Sequence, residues 1–177
     1  MGVPIAAEGP ATTLLSLYGG AVVEVHGYLF ARCRNRETAE ELTAEVFMAA
    51  VDSIRRSTVA EVTTAWLIGI ARHKLVDHWR RAEREQRRLH AVADDPTVDK
   101  AEVDPWDVQL DVLAARDALE QLDAKHRAVL TLRYLDGLSV REVAAVLERS
   151  VHATETLLVR ARRAFRDTYE SGEGRGA

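Results

Sequence analysis

Between Trp66 and Arg81 the chain reads WLIGIARHKLVDHWRR, and this stretch narrows the possible folds more than any other. On a helix of about 3.6 residues per turn, Ile68, Ala71, Leu75 and Trp79 fall on one narrow arc. That is the spacing of a stripe buried against other helices. The opposite side carries Trp66, Ile70, His73, Lys74, Asp77, Arg80 and Arg81. A purely solvated face has no need of a tryptophan and an isoleucine. A nucleic-acid surface does, because aromatic rings stack on unpaired bases while cations hold phosphates. Packing of Trp66 against a neighbouring helix, with the charges solvated, explains the same residues, so this helix alone leaves both readings open.

The rest of the chain bears on the choice. Its 177 residues suffice for one ordinary domain or two small ones, and 47% hydrophobic with 29% charged residues describes a folded chain. No apolar run reaches the roughly 18 residues of a membrane span, and the first residues lack a signal peptide's basic start and apolar core. Neither a span nor a signal peptide is therefore expected. A lone cysteine, Cys33, cannot form an internal disulfide, which fits a reducing cytoplasm. The net charge of −4 is an average over unlike parts. Residues 66–90 carry 7 basic and 3 acidic side chains, residues 91–123 carry 2 and 10, and residues 125–170 carry 9 and 6. Two basic segments flank an acidic one, and local charge governs because exposed charges are screened beyond about 8 Å.

In order, residues 1–11 hold prolines, glycines and small side chains and read as a disordered leader. From about Thr12 to Cys33, the residues Leu14, Leu15, Leu17, Val22, Val25, Leu29 and Phe30 recur at helical spacing. Asn35 is placed to cap a second helix from Glu37 to about Ile54, with Leu42, Val46, Phe47, Ala50 and Ile54 as its stripe. Glu41 and Glu45 form an acidic ridge on it. Arg55, Arg56, Ser57 and Thr58 make a basic, hydroxylic loop ahead of the key helix, which fades near Ala91. Residues 92–111 form a flexible acidic linker, with Pro96, Pro105 and the lone anchor Trp106.

Helical periodicity returns at Val112, with Val112, Ala115, Leu119 and Leu122 in line. Asp123 caps a helix predicted over Ala124–Leu135, with Val129, Leu130, Leu132 and Leu135 apolar, and Gly137 ends it. Ser139 with Glu142 is a capping box for a short helix to Leu147. Ser150 caps the next helix after a tight connection. On that helix Val151, Thr154, Leu157, Leu158, Ala161, Ala164 and Phe165 share one side. His152, Glu155, Thr156, Val159, Arg160, Arg162, Arg163 and Arg166 share the other. A short capped helix, a tight turn and a longer helix with a basic outer face make a helix-turn-helix, and four arginines within seven residues favour DNA over a structural hairpin.

Together the two halves resemble the extracytoplasmic-function (ECF, group IV) sigma factors of bacterial RNA polymerase. AEELTAEVFMAAV (Ala39–Val51) and WLIGIARHKLVDHWRR resemble region two of that family; ALEQLDAKHRAVLTLRYLDGLSVREVAAVLERS and LLVRARRAF resemble region four. The resemblance implies an all-α protein of two small helical domains. These are a region-two-like domain at 12–91 and a region-four-like helix-turn-helix domain at 112–170, joined by the linker and followed by a disordered tail at 171–177. It implies a non-enzymatic initiation subunit without metal or cofactor, cytoplasmic and monomeric when free. The partners it implies are core RNA polymerase, promoter DNA and an anti-sigma factor. Glu40, Glu41, Leu42, Glu45 and Phe47 would contact core polymerase. Arg55, Arg56, Ser57, Thr58, Thr63, Thr64, Trp66, His73, Lys74, Asp77, Arg80 and Arg81 would capture the minus-ten strand. Ser150, His152, Glu155, Thr156, Val159, Arg160, Arg162, Arg163 and Arg166 would read the minus-thirty-five element, while the linker threads towards the RNA exit path. Three positions depart from the family: Ala44 stands for a usual glutamine, His73 for a common asparagine, and Glu155 near where Lys or Arg is usual. A carboxylate there repels phosphate but accepts from cytosine N4.

Other classes find little support. Cys33, His26, His73 and His78 lack zinc-ligand spacing, no nucleophile has a base in motif, and no Gly-rich phosphate loop occurs. A stand-alone helix-turn-helix regulator is the alternative, distinguished by tight duplex binding without polymerase. A purely protein-binding helical module would show no salt-dependent DNA affinity.

Overall fold

A computed structural model describes residues 9–89 and 112–173, and every regular element in them is helical. In order these are α1 (Pro10–Cys33), α2 (Arg36–Arg55), α3 (Thr64–Leu89), α4 (Val112–Gln121), α5 (Ala124–Leu130), α6 (Val140–Val146) and α7 (Val151–Glu173). A π-helical turn, Thr131–Leu135, extends α5. The chain forms two compact units, Met1–Leu75 and Val76–Ala177, so the division falls inside α3. The acidic linker with Trp106, residues 1–8 of the expected leader and residues 174–177 of the expected tail lie outside the described residues, whereas residues 171–173 of that tail belong to α7.

In the first unit α1 begins earlier than expected, with Pro10 in its opening turn, where a missing N–H costs nothing. It runs through Gly19 and Gly20 to Arg34, whose left-handed φ of 51° closes it. Asn35 Oδ1 then accepts from the Thr38 N–H at 2.9 Å and opens α2. Leu14, Ala21, Val25 and Leu29 of α1 are buried, as are Ala39, Leu42, Val46 and Ala50 of α2. Burying each large side chain contributes about 1.5–3 kcal/mol. Leu15 and Phe30, expected in that stripe, sit out of phase at 77% and 47% exposure. By length and mean hydropathy (1.3) α1 is apolar enough to cross a membrane, a departure from the expectation, although its core stripe packs against α2. On α3 the buried line is Leu67, Ala71 and Leu75, and the same helix carries buried Val76 and Trp79 in the second unit. Leu67 therefore takes the place expected of Ile68, which is half-buried.

In the second unit the Arg127 guanidinium lies over the Trp79 ring, 5.7 Å from its centroid. Arg127 also closes the end of α4, donating to the carbonyls of Leu119 (3.0 Å), Leu122 (3.2 Å) and Glu120. Only the end of the stripe expected on α4 is buried: Leu122 and the unforeseen Ala118 are inside, while Val112 is 60% exposed. Asp123 Oδ1 caps α5 by accepting from the His126 N–H at 2.7 Å. The single helix expected over Ala124–Leu135 is α5 plus the π turn, in which the Asp136 N–H donates to the Thr131 carbonyl at 3.0 Å. The wider turn shifts the helical phase, so Leu132 is buried and Leu135 is 55% exposed. Gly137 follows at φ 68°, as its position foretold.

Candidate nucleic-acid interface

The helix-turn-helix assembles from caps at both of its helices. Ser139 Oγ accepts from the Glu142 N–H at 3.3 Å, and Glu142 Oε2 accepts from the Ser139 N–H at 2.8 Å. A helix of only 7 residues depends on such a box, since its first turn has no intrahelical acceptors. The turn after α6 closes with Glu148 at φ 54°. There the Glu148 N–H donates to Ala145 (3.2 Å) and the Arg149 N–H to Ala144 (2.9 Å), satisfying the last carbonyls of α6. Ser150 Oγ accepts from the Ala153 N–H at 3.1 Å and opens α7. Leu157, Leu158, Ala161, Phe165 and Tyr169 are buried, as is Thr154, whose hydroxyl donates to the Ser150 carbonyl at 3.0 Å.

That stripe turns His152, Glu155, Thr156, Arg160, Arg163 and Arg166 outward as exposed side chains, with Val159 half-buried among them. Arg162 is half-buried beside the core stripe, away from the centre of this face. His152 is 93% exposed, its Nδ1 4.0 Å from Glu155 Oε2. The first two turns thus offer an imidazole, a carboxylate, a hydroxyl and an aliphatic group; the arginines follow. The leading residues of such a helix meet base edges and cations hold phosphates.

The loop from Arg55 to Thr64 and the helix after it carry the second group. Ser57 takes φ 54°, and its N–H and that of Thr58 donate to Ile54 (3.0 Å) and Ser53 (3.1 Å), ending α2. The Thr58 hydroxyl donates to the Ser53 carbonyl at 3.0 Å, and Thr63 Oγ1 accepts from the Trp66 N–H at 3.1 Å. Those two hydroxyls therefore shape helix ends, whereas Ser57, Arg55 and Arg56 are exposed and Thr64 is half-buried. On α3, Trp66 is half-buried and His73, Asp77 and Arg81 are exposed. Arg80 lies 3.6 Å from Asp77 and donates to the Leu147 carbonyl at 3.1 Å. Lys74 is paired with Glu45 at 3.1 Å.

The outer face of α2 has a different chemistry. Glu40 and Glu41 are exposed, and the hydrogen-bonded Arg36, 2.7 Å from Glu40, holds the Glu40 carboxyl below the usual carboxylate range. Phe47 is half-buried and meets the Tyr18 ring edge-on at 5.0 Å. Leu42 is 1% exposed and belongs to the core, which corrects its expected place on this surface. Its helical phase is that of Ala39, Val46 and Ala50. Sequence reasoning missed Met48 (61% exposed) and Val51 (45%), which with Ala44, Phe47 and Asp52 line a shallow groove of about 390 Å³. Both lie opposite the buried stripe, so helical phase could have revealed them.

A helix-turn-helix with a basic outer helix, a basic tryptophan-bearing helix and an acidic, partly apolar outer face on α2 make an all-helical chain of two units with surfaces suited to nucleic acid. Residues 18–85 match the family described as Sigma-70 region 2, and residues 113–165 match Sigma-70, region 4. ECF RNA polymerase sigma factor BldN of Streptomyces coelicolor is 32% identical over 88% of this chain, which spans 60% of BldN's length. SigC of Mycobacterium tuberculosis, also an ECF RNA polymerase sigma factor, is 30% identical over 72% of this chain and 68% of its own. ECF sigma factor SigX of Bacillus subtilis is 26% identical over 89% and 84% respectively. The sigma factor RpoE of Bartonella quintana, solved in complex with the anti-sigma factor NepR, shares the fold with a TM-score of 0.56 at 19% identity, covering 89% of this chain and 96% of that one. The chain belongs to the sigma-70 family of RNA polymerase sigma factors, in its ECF class.

Proposed function

We propose that the chain is a group IV sigma factor, an initiation subunit without catalysis of its own that acts in the cytoplasm. It binds core RNA polymerase through the outer face of α2, reads the minus-thirty-five element with α7, and captures the opened minus-ten strand with α3 and the loop before it. The working division is 12–91 for core polymerase and the minus-ten element and 112–170 for the minus-thirty-five element, with 92–111 as linker. An anti-sigma factor that covers these faces is the expected regulator. The carrying observation is that one chain holds a capped helix-turn-helix with an exposed basic helix and, on α2, a shallow groove in which exposed Met48 and Val51 adjoin the carboxylate of Asp52.

The energetics follow. Bases leaving the duplex lose stacking worth a few kcal/mol. Contacts to aromatic groups return about 1–3 kcal/mol per base. Arg81 and Arg80 hold the backbone, Arg80 exchanging its Leu147 carbonyl for phosphate. Two weak DNA contacts gain strength when polymerase fixes their separation, an effective-concentration effect. Reconstitution with bacterial core polymerase tests the proposal. Specific initiation is expected. Tight, specific duplex binding by the chain alone, without initiation, would overturn it in favour of a stand-alone regulator.

A further inference from the structure

Two side chains assigned to different surfaces are joined in the structure. Lys74 Nζ, on the strand-capturing helix, lies 3.1 Å from Glu45 Oε2, on the polymerase-facing helix. The side chains are 32% and 20% exposed, so bulk solvent screens this pair less than the fully open ion pairs elsewhere on the surface. A carboxylate in contact with an ammonium competes with any phosphate for it. Glu45 in turn follows Glu41 by one turn, and the two carboxylates form an acidic border along α2. A basic partner docking on that acidic border would compete for Glu45.

Resting on the sigma-factor reading, we infer that Glu45 is a positioning residue for strand capture as well as a docking contact. In the free chain it holds Lys74 away from DNA; when a cationic group of the polymerase engages Glu45, Lys74 becomes a phosphate contact. The bridge thus makes one surface report the state of the other through a single shared carboxylate. It acts within one unit, because both residues precede Val76.

The test is the salt dependence of binding to an oligothymidylate of about 12 nucleotides, the scale of a single-strand site. The full-length chain is measured free and bound to core polymerase. Each phosphate contact on a single strand contributes about 0.7 to the log–log slope. In the free chain Glu45→Gln is expected to steepen the slope by about one such contact and to tighten binding several-fold, and the added substitution Lys74→Met returns both to wild type. Lys74→Met alone leaves the free chain unchanged and flattens the slope of the polymerase-bound chain by about one contact, whereas Lys74→Arg behaves as wild type. Equal slopes for wild type and Glu45→Gln in the free chain overturn the inference. So does a Lys74→Met loss of equal size in the free and bound chains. Circular dichroism confirms that the variants fold. Failure of the sigma-factor reading appears separately, as a wild-type chain that does not co-elute with core polymerase, while the free-chain comparison still decides the Glu45–Lys74 link.

Discussion

Replacing Glu148 with glycine should stabilise the helix-turn-helix, and the size of the gain follows from its backbone. Glu148 takes φ 54° in the turn between α6 and α7. For a residue with a side chain the left-handed conformation costs about 1–2 kcal/mol. Glycine avoids that cost but surrenders about 0.5–1 kcal/mol of extra freedom in the unfolded chain. The two closing hydrogen bonds, Glu148 N–H to Ala145 and Arg149 N–H to Ala144, use backbone atoms and survive the change. Glu148→Gly should therefore gain about 0.5–1 kcal/mol, or about 2–8 °C in Tm for a unit of this size. Charge must be separated from conformation, because the carboxylate sits at the negative end of α6. Glu148→Ala removes the charge and keeps the strain, so the glycine–alanine difference isolates the backbone. Urea unfolding of the three proteins gives that difference directly. A glycine variant no more stable than the alanine variant would refute the reasoning.

Three further outcomes are expected. Ser139→Ala removes one half of the capping box and should cost about 1 kcal/mol in urea unfolding, with reduced binding to duplex promoter DNA; a loss within about 0.3 kcal/mol would mean the box does not hold α6. Burial pushes the His126 imidazole below its ordinary 6.5, with Asp123 opposing. The unfolded chain therefore takes up the proton first, so this contribution is complete above about pH 6.5 and is lost as the pH falls below it. Thermal melts between about pH 8 and pH 5 should show that decline flattened in His126→Gln. Glu155→Lys should change the minus-thirty-five sequence recovered in a promoter selection, since a carboxylate accepts from cytosine N4 and an ammonium cannot; an unchanged preference would exclude Glu155 from base reading.

Local chemistry was readable and helical phase was less so. Asn35, Asp123, Ser139, Ser150 and Gly137 each stand where the sequence places a helix end, because capping depends on a few neighbouring atoms. Leu15, Phe30 and Leu135 were assigned to stripes and are exposed, and Leu67 replaces Ile68. A run rich in apolar residues admits several phases, and the packed neighbours choose among them. The π turn was invisible for the same reason: it adds a residue to one turn without a residue type of its own. Arg127 gives no local signal either, since it reaches back to carbonyls up to eight residues earlier. Among the candidate site residues, Leu42 lies in the core, where its helical phase puts it, whereas Met48 and Val51, whose phase points outward, escape the motif.

The two kinds of surface differ in the force that acts on them, and this bears on why one chain carries both. Met48, Val51 and Phe47 leave apolar area in water that burial would stabilise by about 25 cal/mol per Å², so a fold alone has no reason to present them together. Covering them is driven by the hydrophobic effect, which salt does not weaken. In the proposed roles the arginines of α7 and the cations of α3 would gain from phosphate by releasing counterions, which salt opposes steeply. A chain acting as proposed would hold its enzyme partly through an apolar term that salt does not weaken, beside the salt-sensitive contacts of Glu41 and Glu45, and DNA mainly through its cations. The apolar part of that attachment would then persist while the salt-sensitive DNA contacts are made and released.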